Sequence, residues 1–207
     1  GYPVWYFRGV KTEGVDPTTG ALKASDFSGD GVINSSDFTY IGSAIPDILY
    51  GATINLEYKN FDFTLFLQGQ GGNDIMMAIN RNDRKTFNKL AVFFEDRWQK
   101  PGDNAKYPSS AEQVNNTDLF RSDMVIMDGS YMKIKQIQLG YNLPKSLMRT
   151  LGITGLRVYG SLDDFFTFAS YPGMDPETSA TDVNGIGVDR GFFPTSRKLM
   201  FGLSLKF

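Results

Sequence analysis

The sequence predicts an all-β fold with minor helix, and three observations predict it. The 207 residues include 17 Phe and 10 Tyr, an aromatic load that suits pleated, half-buried strands better than helices. Several segments alternate apolar and polar residues with period two. The links between those segments alternate between short and long.

The first long alternation runs over 51–59, with Ala52, Ile54, Leu56 and Tyr58 set against Thr53, Asn55, Glu57 and Lys59. The next, over 61–70, sets Phe61, Phe63, Leu65 and Leu67 against Asp62, Thr64, Phe66 and Gln68. Only Lys59-Asn60 separates them, which predicts a tight hairpin. Residues 131–142 start with Met132 and Ile134 on one face and continue with Ile137, Leu139 and Tyr141 on the other. That slip of phase near Lys135-Gln136 predicts a bulge or a passage out of a membrane. Residues 155–168 set Leu156, Val158, Leu162, Phe166 and Phe168 against Arg157, Tyr159, Ser161, Asp163 and Phe165. The last strand, 199–207, has Leu199, Phe201, Leu203, Leu205 and Phe207 on one face and Met200, Gly202, Ser204 and Lys206 on the other.

The link around 143–154 is short and predicts a one- or two-turn helix from Pro144. The links 71–130 and 169–196 are long and rich in Gly, Asn, Asp and Pro. Within the first, Phe87, Leu90, Ala91 and Phe94 recur at helical spacing, predicting a helix from Arg84 to Trp98 that packs against other loops. Barrels of the bacterial outer membrane join their strands by short periplasmic turns and long external loops, and the parity holds along this chain. The prediction sharpens accordingly: antiparallel strands of a large outer-membrane β-barrel with long external loops. No stretch approaches eighteen apolar residues, so no membrane-spanning helix is expected. A barrel strand needs only about ten alternating residues.

Composition removes several functions. There is no cysteine and no histidine, so disulfides, thiolate metal sites and His-dependent nucleophilic catalysis are ruled out. A net charge of −2 without a basic stripe gives nucleic-acid binding no support. Carboxylate neighbours Asp163-Asp164 point to opposite faces if the strand is regular, and Glu95-Asp96 fall on a solvated helix surface. The cluster Gly69-Gln70-Gly71-Gly72 lacks the Lys-Ser/Thr of a phosphate loop and reads as the exit from a strand. No enzyme is expected and no catalytic residue is assigned. The N-terminus, Gly1-Tyr2-Pro3-Val4-Trp5, has no signal-peptide pattern, so either a signal was removed or a longer protein precedes it.

One loop carries metal chemistry. Residues 26–37 follow the twelve-residue calcium loop almost position by position. Asp26, Ser28 and Asp30 stand at ligand positions one, three and five, with Gly31 at the sharp turn. Val32 offers its carbonyl, Asn34 stands at position nine, and Asp37 replaces the usual Glu. Calcium takes about six or seven oxygens; the expected role is structural, bracing an external loop.

The pieces Lys11-Thr12-Glu13-Gly14, Asp26–Asp37, Phe66-Leu67-Gln68-Gly69, Asp128-Gly129-Ser130-Tyr131-Met132-Lys133-Ile134-Lys135 and Leu139-Gly140-Tyr141-Asn142-Leu143-Pro144 come in an order with a known counterpart. With Asp175-Pro176-Glu177 and the Phe-terminated last strand, they resemble the C-terminal part of SusC/RagA-like TonB-dependent outer-membrane transporters, over residues 1–207. The resemblance implies a barrel of roughly twenty-two strands with a plugged lumen. It implies import of oligosaccharides or peptides, a SusD-like surface lipoprotein as partner, and drive by TonB through an N-terminal region that this chain lacks. Outer-membrane lipid is then the solvent of the apolar face. A rival expectation is a secreted, calcium-braced β-domain that binds glycan through exposed Trp98, Tyr107 and Tyr171.

Overall fold

The computed structural model describes residues 1–79, 90–177 and 185–207. In chain order the strands are β1 (Tyr6–Gly9), β2 (Thr12–Val15), β3 (Leu22–Ala24), β4 (Thr39–Ser43), β5 (Ile48–Tyr58), β6 (Phe61–Gly71), β7 (Asp74–Met77), β8 (Ile126–Asp128), β9 (Tyr131–Asn142), β10 (Gly155–Ala169), β11 (Val188–Asp189) and β12 (Lys198–Lys206). Three short helices are α1 (Ala91–Glu95), α2 (Ser110–Asn115) and α3 (Lys145–Leu151). The chain divides into two compact units.

One unit holds 47–71, 130–170 and 195–207. It is a single antiparallel sheet in the order β12-β10-β9-β6-β5, formed by the five strands expected from alternation. β5 and β6 pair from Ile48↔Gly71 to Tyr58↔Phe61, leaving Lys59-Asn60 as the hairpin turn; Lys59 takes φ 55° to close it. α3 follows Pro144 and fills the other short link. The strand phase slip has a structural cause. Phe66 pairs with Gln136 and Leu67 with Ile134, so Lys135 falls outside the register with β6. On the far side Asp163 pairs with Gln136 and Phe166 with Ile134, so Asp164 and Phe165 fall outside the register with β9. Because the bulge absorbs the slip, Ile134 and Ile137 stand beside Leu67 and Leu65 on one face, not on two as plain alternation predicts.

The other unit holds 1–46, 72–129 and 171–194, so the two long links and the N-terminal stretch are more than loops. They build three small sheets, β1-β4, β2-β3 and β11-β7-β8. Their core gathers Ile75, Met77, Phe93, Tyr107, Val125, Met127 and Tyr171, with Phe7, Ile41 and Ala44 as a second cluster. Fully buried Phe93 meets Tyr107 edge-on at 4.8 Å, a favoured arrangement of ring quadrupoles. Gln113 sits buried and donates from Nε2 to the carbonyls of Phe93, at 2.8 Å, and Pro108, at 2.9 Å, satisfying two acceptors that burial would otherwise leave unpaired.

Two expectations for this stretch need correction. Residues 80–89, including Phe87 and the start of the Arg84–Trp98 helix, lie outside the described residues; the described part is helical only over Ala91–Glu95. There the helix buries Phe93, while Phe94 is 57 % exposed with Arg97 stacked on its ring at 3.6 Å. Past Asp96 the chain leaves the helix because the Asp96 carbonyl accepts from the amides of Lys106 and Tyr107 and Trp98 donates its amide to the Tyr107 carbonyl. Long-range backbone pairing outweighs local helical periodicity at that point.

Candidate functional site, a two-faced sheet and an acidic loop

The register of the five strands sorts their side chains into two unlike surfaces. Directly paired across the sheet on one face are Ile54, Leu65, Ile137, Leu162 and Leu199. The next rows on that face are Leu56-Phe63-Leu139-Gly160-Phe201 and Tyr58-Phe61-Tyr141-Val158-Leu203. Period two makes the intervening residues the other face: Asn55-Thr64-Gln138-Ser161-Met200, then Glu57-Asp62-Gly140-Tyr159-Gly202. The apolar rows are open within this chain. Phe201 is 81 % exposed, Leu203 74 %, Leu56 58 % and Leu139 53 %.

On the polar face the side chains interlock sideways. Arg157 on β10 reaches over β9 to Asp62 on β6, donating from Nε to Oδ2 at 2.9 Å and from Nη2 to Oδ1. It can do so because Gly140 lies between them; a Cβ there would overlap both the carboxylate and the guanidinium. The same guanidinium lies 4.8 Å from the Tyr159 ring centroid, and the Tyr159 ring in turn covers Gly202 of β12. A continuous strap from Asp62 through Arg157 and Tyr159 to Gly202 thus crosses four strands. It borders a polar recess of about 470 Å³ that Asn55, Glu57, Lys59, Thr64 and Gln138 help to line. Thr64 donates to Asn55 Oδ1 at 3.0 Å beside it. Sequence reading missed the strap: its members are 95 residues apart, and the signal for it, Asp and Arg on polar-face positions with glycines between, appears only once the register is known.

The acidic loop lies in the other unit and is tightly wound. Asp26 accepts the amides of Gly29 at 2.7 Å and Gly31 at 2.8 Å, and the Ser28 hydroxyl at 3.2 Å. Asp37, buried, accepts the amides of Ser28 at 2.9 Å and Asn34 at 2.8 Å. Those amides of Asn34 and Ser28 hold the Asp37 carboxyl below the usual carboxylate range, since they stabilise the ionised form. Asn34 closes a short 3₁₀ turn with a reciprocal cap involving Asp37, and its Nδ2 donates to the Val32 carbonyl at 2.9 Å and to Asp30 at 3.4 Å. All six expected ligands therefore belong to one hydrogen-bonded loop. Among the described residues no three acidic side chains converge closely enough to grip a metal ion.

The aromatic residues proposed for a glycan surface are not on one. Tyr107 is fully buried, and burial, then the charge of Asp96, pushes its hydroxyl up to about 12. Tyr171 is 7 % exposed and donates to Asp189 at 2.5 Å; burial and that bond push its hydroxyl well up. Trp98 lies half-buried across Gly20 and donates to the Pro17 carbonyl at 2.9 Å. These rings are packing elements. Asp163 and Asp164 do not follow plain strand alternation either: Asp164 takes φ 56° at the bulge and pairs with Lys135 at 2.6 Å, while Asp163 accepts from the Ser161 hydroxyl at 2.5 Å.

Known proteins resemble this chain in sequence and in fold. No protein-family profile matches the chain. TonB-dependent receptor P3 of Formosa agariphila is 31 % identical over 206 residues, 97 % of this chain and 20 % of that protein. The TonB-dependent receptor SusC of Bacteroides thetaiotaomicron is 29 % identical over 188 residues, 88 % of this chain and 17 % of SusC. Among solved structures, a chain of the RagAB peptide transporter superposes with a TM-score of 0.76 at 22 % identity, over 100 % of this chain and 23 % of that one. The RagAB peptide importer in its open-open state gives 0.75 at 21 % identity, over 98 % of this chain and 22 % of the other. The fold is thus the one found in that importer, and this chain spans about a fifth of the length of the curated relatives it matches.

The strap makes a measurable prediction. In a double-mutant cycle, Asp62→Ala and Arg157→Ala should each destabilise the sheet and should couple by about 1 kcal/mol, the upper end for a partly exposed pair. Urea unfolding reads this, and coupling near zero would mean that the pair only decorates the face.

Proposed function

We infer that the chain is a stretch of barrel wall, with the segments joining its strands, from a SusC/RagA-like TonB-dependent outer-membrane transporter. The observation that carries this reading is the unbroken apolar face running across all five strands. A large apolar side chain gains about 1.5–3 kcal/mol on leaving water. A wet face of three such rows would forgo more than the roughly 5–15 kcal/mol by which whole domains are stable. Lipid removes that cost, and a closed barrel removes the unpaired backbone at the outer edges of β5 and β12. The relatives named above are receptors, SusC and importers, which supports transport over catalysis.

The intact protein, on this reading, sits in the bacterial outer membrane and imports oligosaccharides or peptides. A SusD-like surface lipoprotein works with it, and TonB drives it through a region outside this chain. The polar face with its strap then belongs to the lumen wall. The experiment is uptake by cells carrying the full-length protein, offered labelled oligosaccharides in one arm and labelled peptides in another. Accumulation of one class, lost without TonB and reduced at least tenfold without the neighbouring lipoprotein, is the expected result. A protein recovered outside the membrane, or uptake indifferent to TonB, would contradict the reading.

Loop 26–37 is proposed to take structural calcium through Asp26, Ser28, Asp30, the Val32 carbonyl, Asn34 and Asp37. Asp30 and Val32 already turn their oxygens to one electropositive partner, the Asn34 amide, and hard oxygen donors of this kind suit calcium. Their drawing together around an ion would stabilise the folded state by mass action, about 2.7 kcal/mol at a hundredfold excess over the Kd. Thermal melting should rise with calcium and fall with chelator, and Asp30→Ala should blunt the difference. Melting that ignores both additions would remove calcium from the account.

A further inference from the structure

The bulges in β9 and β10 fall where the sequence places charge on the wrong phase. On β9, counting back by twos from Tyr141, Leu139 and Ile137 without interruption would bring Lys135 and Lys133 onto the apolar face. On β10, counting on from Leu162 would bring Asp164 there, between Leu162 and Phe166. The structure avoids all three. One extra residue, Lys135, is absorbed on β9 against β6, and two on β10, Asp164 and Phe165, stand opposite Lys135 outside the paired register. Ile134 therefore stands beside Leu67 and Phe166, and Met132 beside Gly69 and Phe168. The apolar surface continues past the bulge, with Phe166 44 % and Phe168 53 % exposed.

The displaced charges meet one another. Lys135 Nζ lies 2.6 Å from Asp164 Oδ1, with side chains only 20 % and 14 % exposed. Asp164 holds φ 56° to make this contact, a conformation that Asp tolerates better than most residues. Lys133 is 2 % exposed. A charge turned toward hydrocarbon destabilises a barrel in a depth-dependent way, so the phase of these half-strands decides whether the sheet suits a membrane at all.

We propose that the staggered bulges, keyed by the Lys135–Asp164 ion pair, are a phase-setting device that selects which face of the second half of β9 meets lipid and lifts Asp164 out of the apolar row of β10, whose phase is unchanged. The pair couples the two strands: a slip in either one breaks it. The proposal rests on the barrel-wall reading, and control positions distant from the bulge keep the two separable.

The test uses the full-length receptor in outer-membrane vesicles with single cysteines introduced at Ile134, Thr167, Leu203 and Ser204, and a water-soluble maleimide. With the pair intact, Thr167→Cys and Ser204→Cys should label and Ile134→Cys and Leu203→Cys should not. Failure of the Leu203/Ser204 contrast would sink the barrel reading itself. Lys135→Gln and Asp164→Asn each break the pair and keep one partly buried charge; either should lower heat-modifiable barrel severalfold or expose Ile134→Cys to label. The double variant, with neither charge, should recover at least half of the parent yield and its labelling pattern. Deleting Lys135 removes the extra residue itself and joins Ile134 directly to Gln136, so plain alternation keeps Ile134 on the apolar face with Ile137. Ile134→Cys should then stay unlabelled in whatever barrel forms; labelling there would count against the bulge as the phase-setting element. Single variants that match the parent in yield and labelling, or a double variant no better than either single, would overturn the proposal.

Discussion

The register of the five-stranded sheet is the constraint on which everything else depends. Side chains alternate with a period of two, so a shift of one residue anywhere would exchange the faces. In this sheet the shift would put Asp62, Gln138 and Arg157 where Phe63, Leu139 and Val158 now stand. Tight turns and cross-strand locks prevent it. Lys59-Asn60 fixes β5 against β6. Asp62 and Arg157, meeting over Gly140, fix β6 against β10 across the strand between them. Tyr50 does similar work on the apolar face: its ring covers Gly69, where no side chain competes, and its hydroxyl donates to the Tyr131 carbonyl at 2.9 Å. Glycines at 69, 140 and 202 are thus receptor positions for a neighbour's ring or ion pair.

The second unit obeys a different rule. Its sheets are short, and its two apolar clusters together draw on three separated segments of chain. Several buried polar groups are answered within it: Gln113 by two carbonyls, Ser122 by the Leu119 carbonyl at 2.7 Å, and Asp189 by Tyr171 and the Gly191 amide. Long links between barrel strands are commonly treated as irregular loops. Here they carry enough apolar residues to fold around their own centre, and the acidic loop belongs to this unit.

The legible part of the fold was the part written in local periodicity. All five long strands, the hairpin at Lys59-Asn60 and the helix after Pro144 follow from alternation and turn chemistry within ten or fifteen residues. β1 to β4, β7, β8 and β11 were not legible, because strands of two to five residues leave no countable period and their pairing is set by distant partners. Tyr107 and Tyr171 looked exposed for the same reason: a ring in a Pro- and Gly-rich stretch gives no local sign of the core it joins. The acidic loop was legible as a spacing of oxygen donors, and the ion pair Asp62–Arg157 was not, since nothing in either neighbourhood names the other.

The central claim is that the two faces of this sheet meet different solvents. Spin labels at Leu56, Leu139 and Leu203, and at their strand neighbours Asn55, Gln138 and Ser204, read that difference in the reconstituted full-length protein by power-saturation spectroscopy. The account predicts that the first three are relaxed by oxygen dissolved in lipid and shielded from a water-soluble nickel chelate, with the reverse at the second three. Equal access of the chelate to both sets would contradict it.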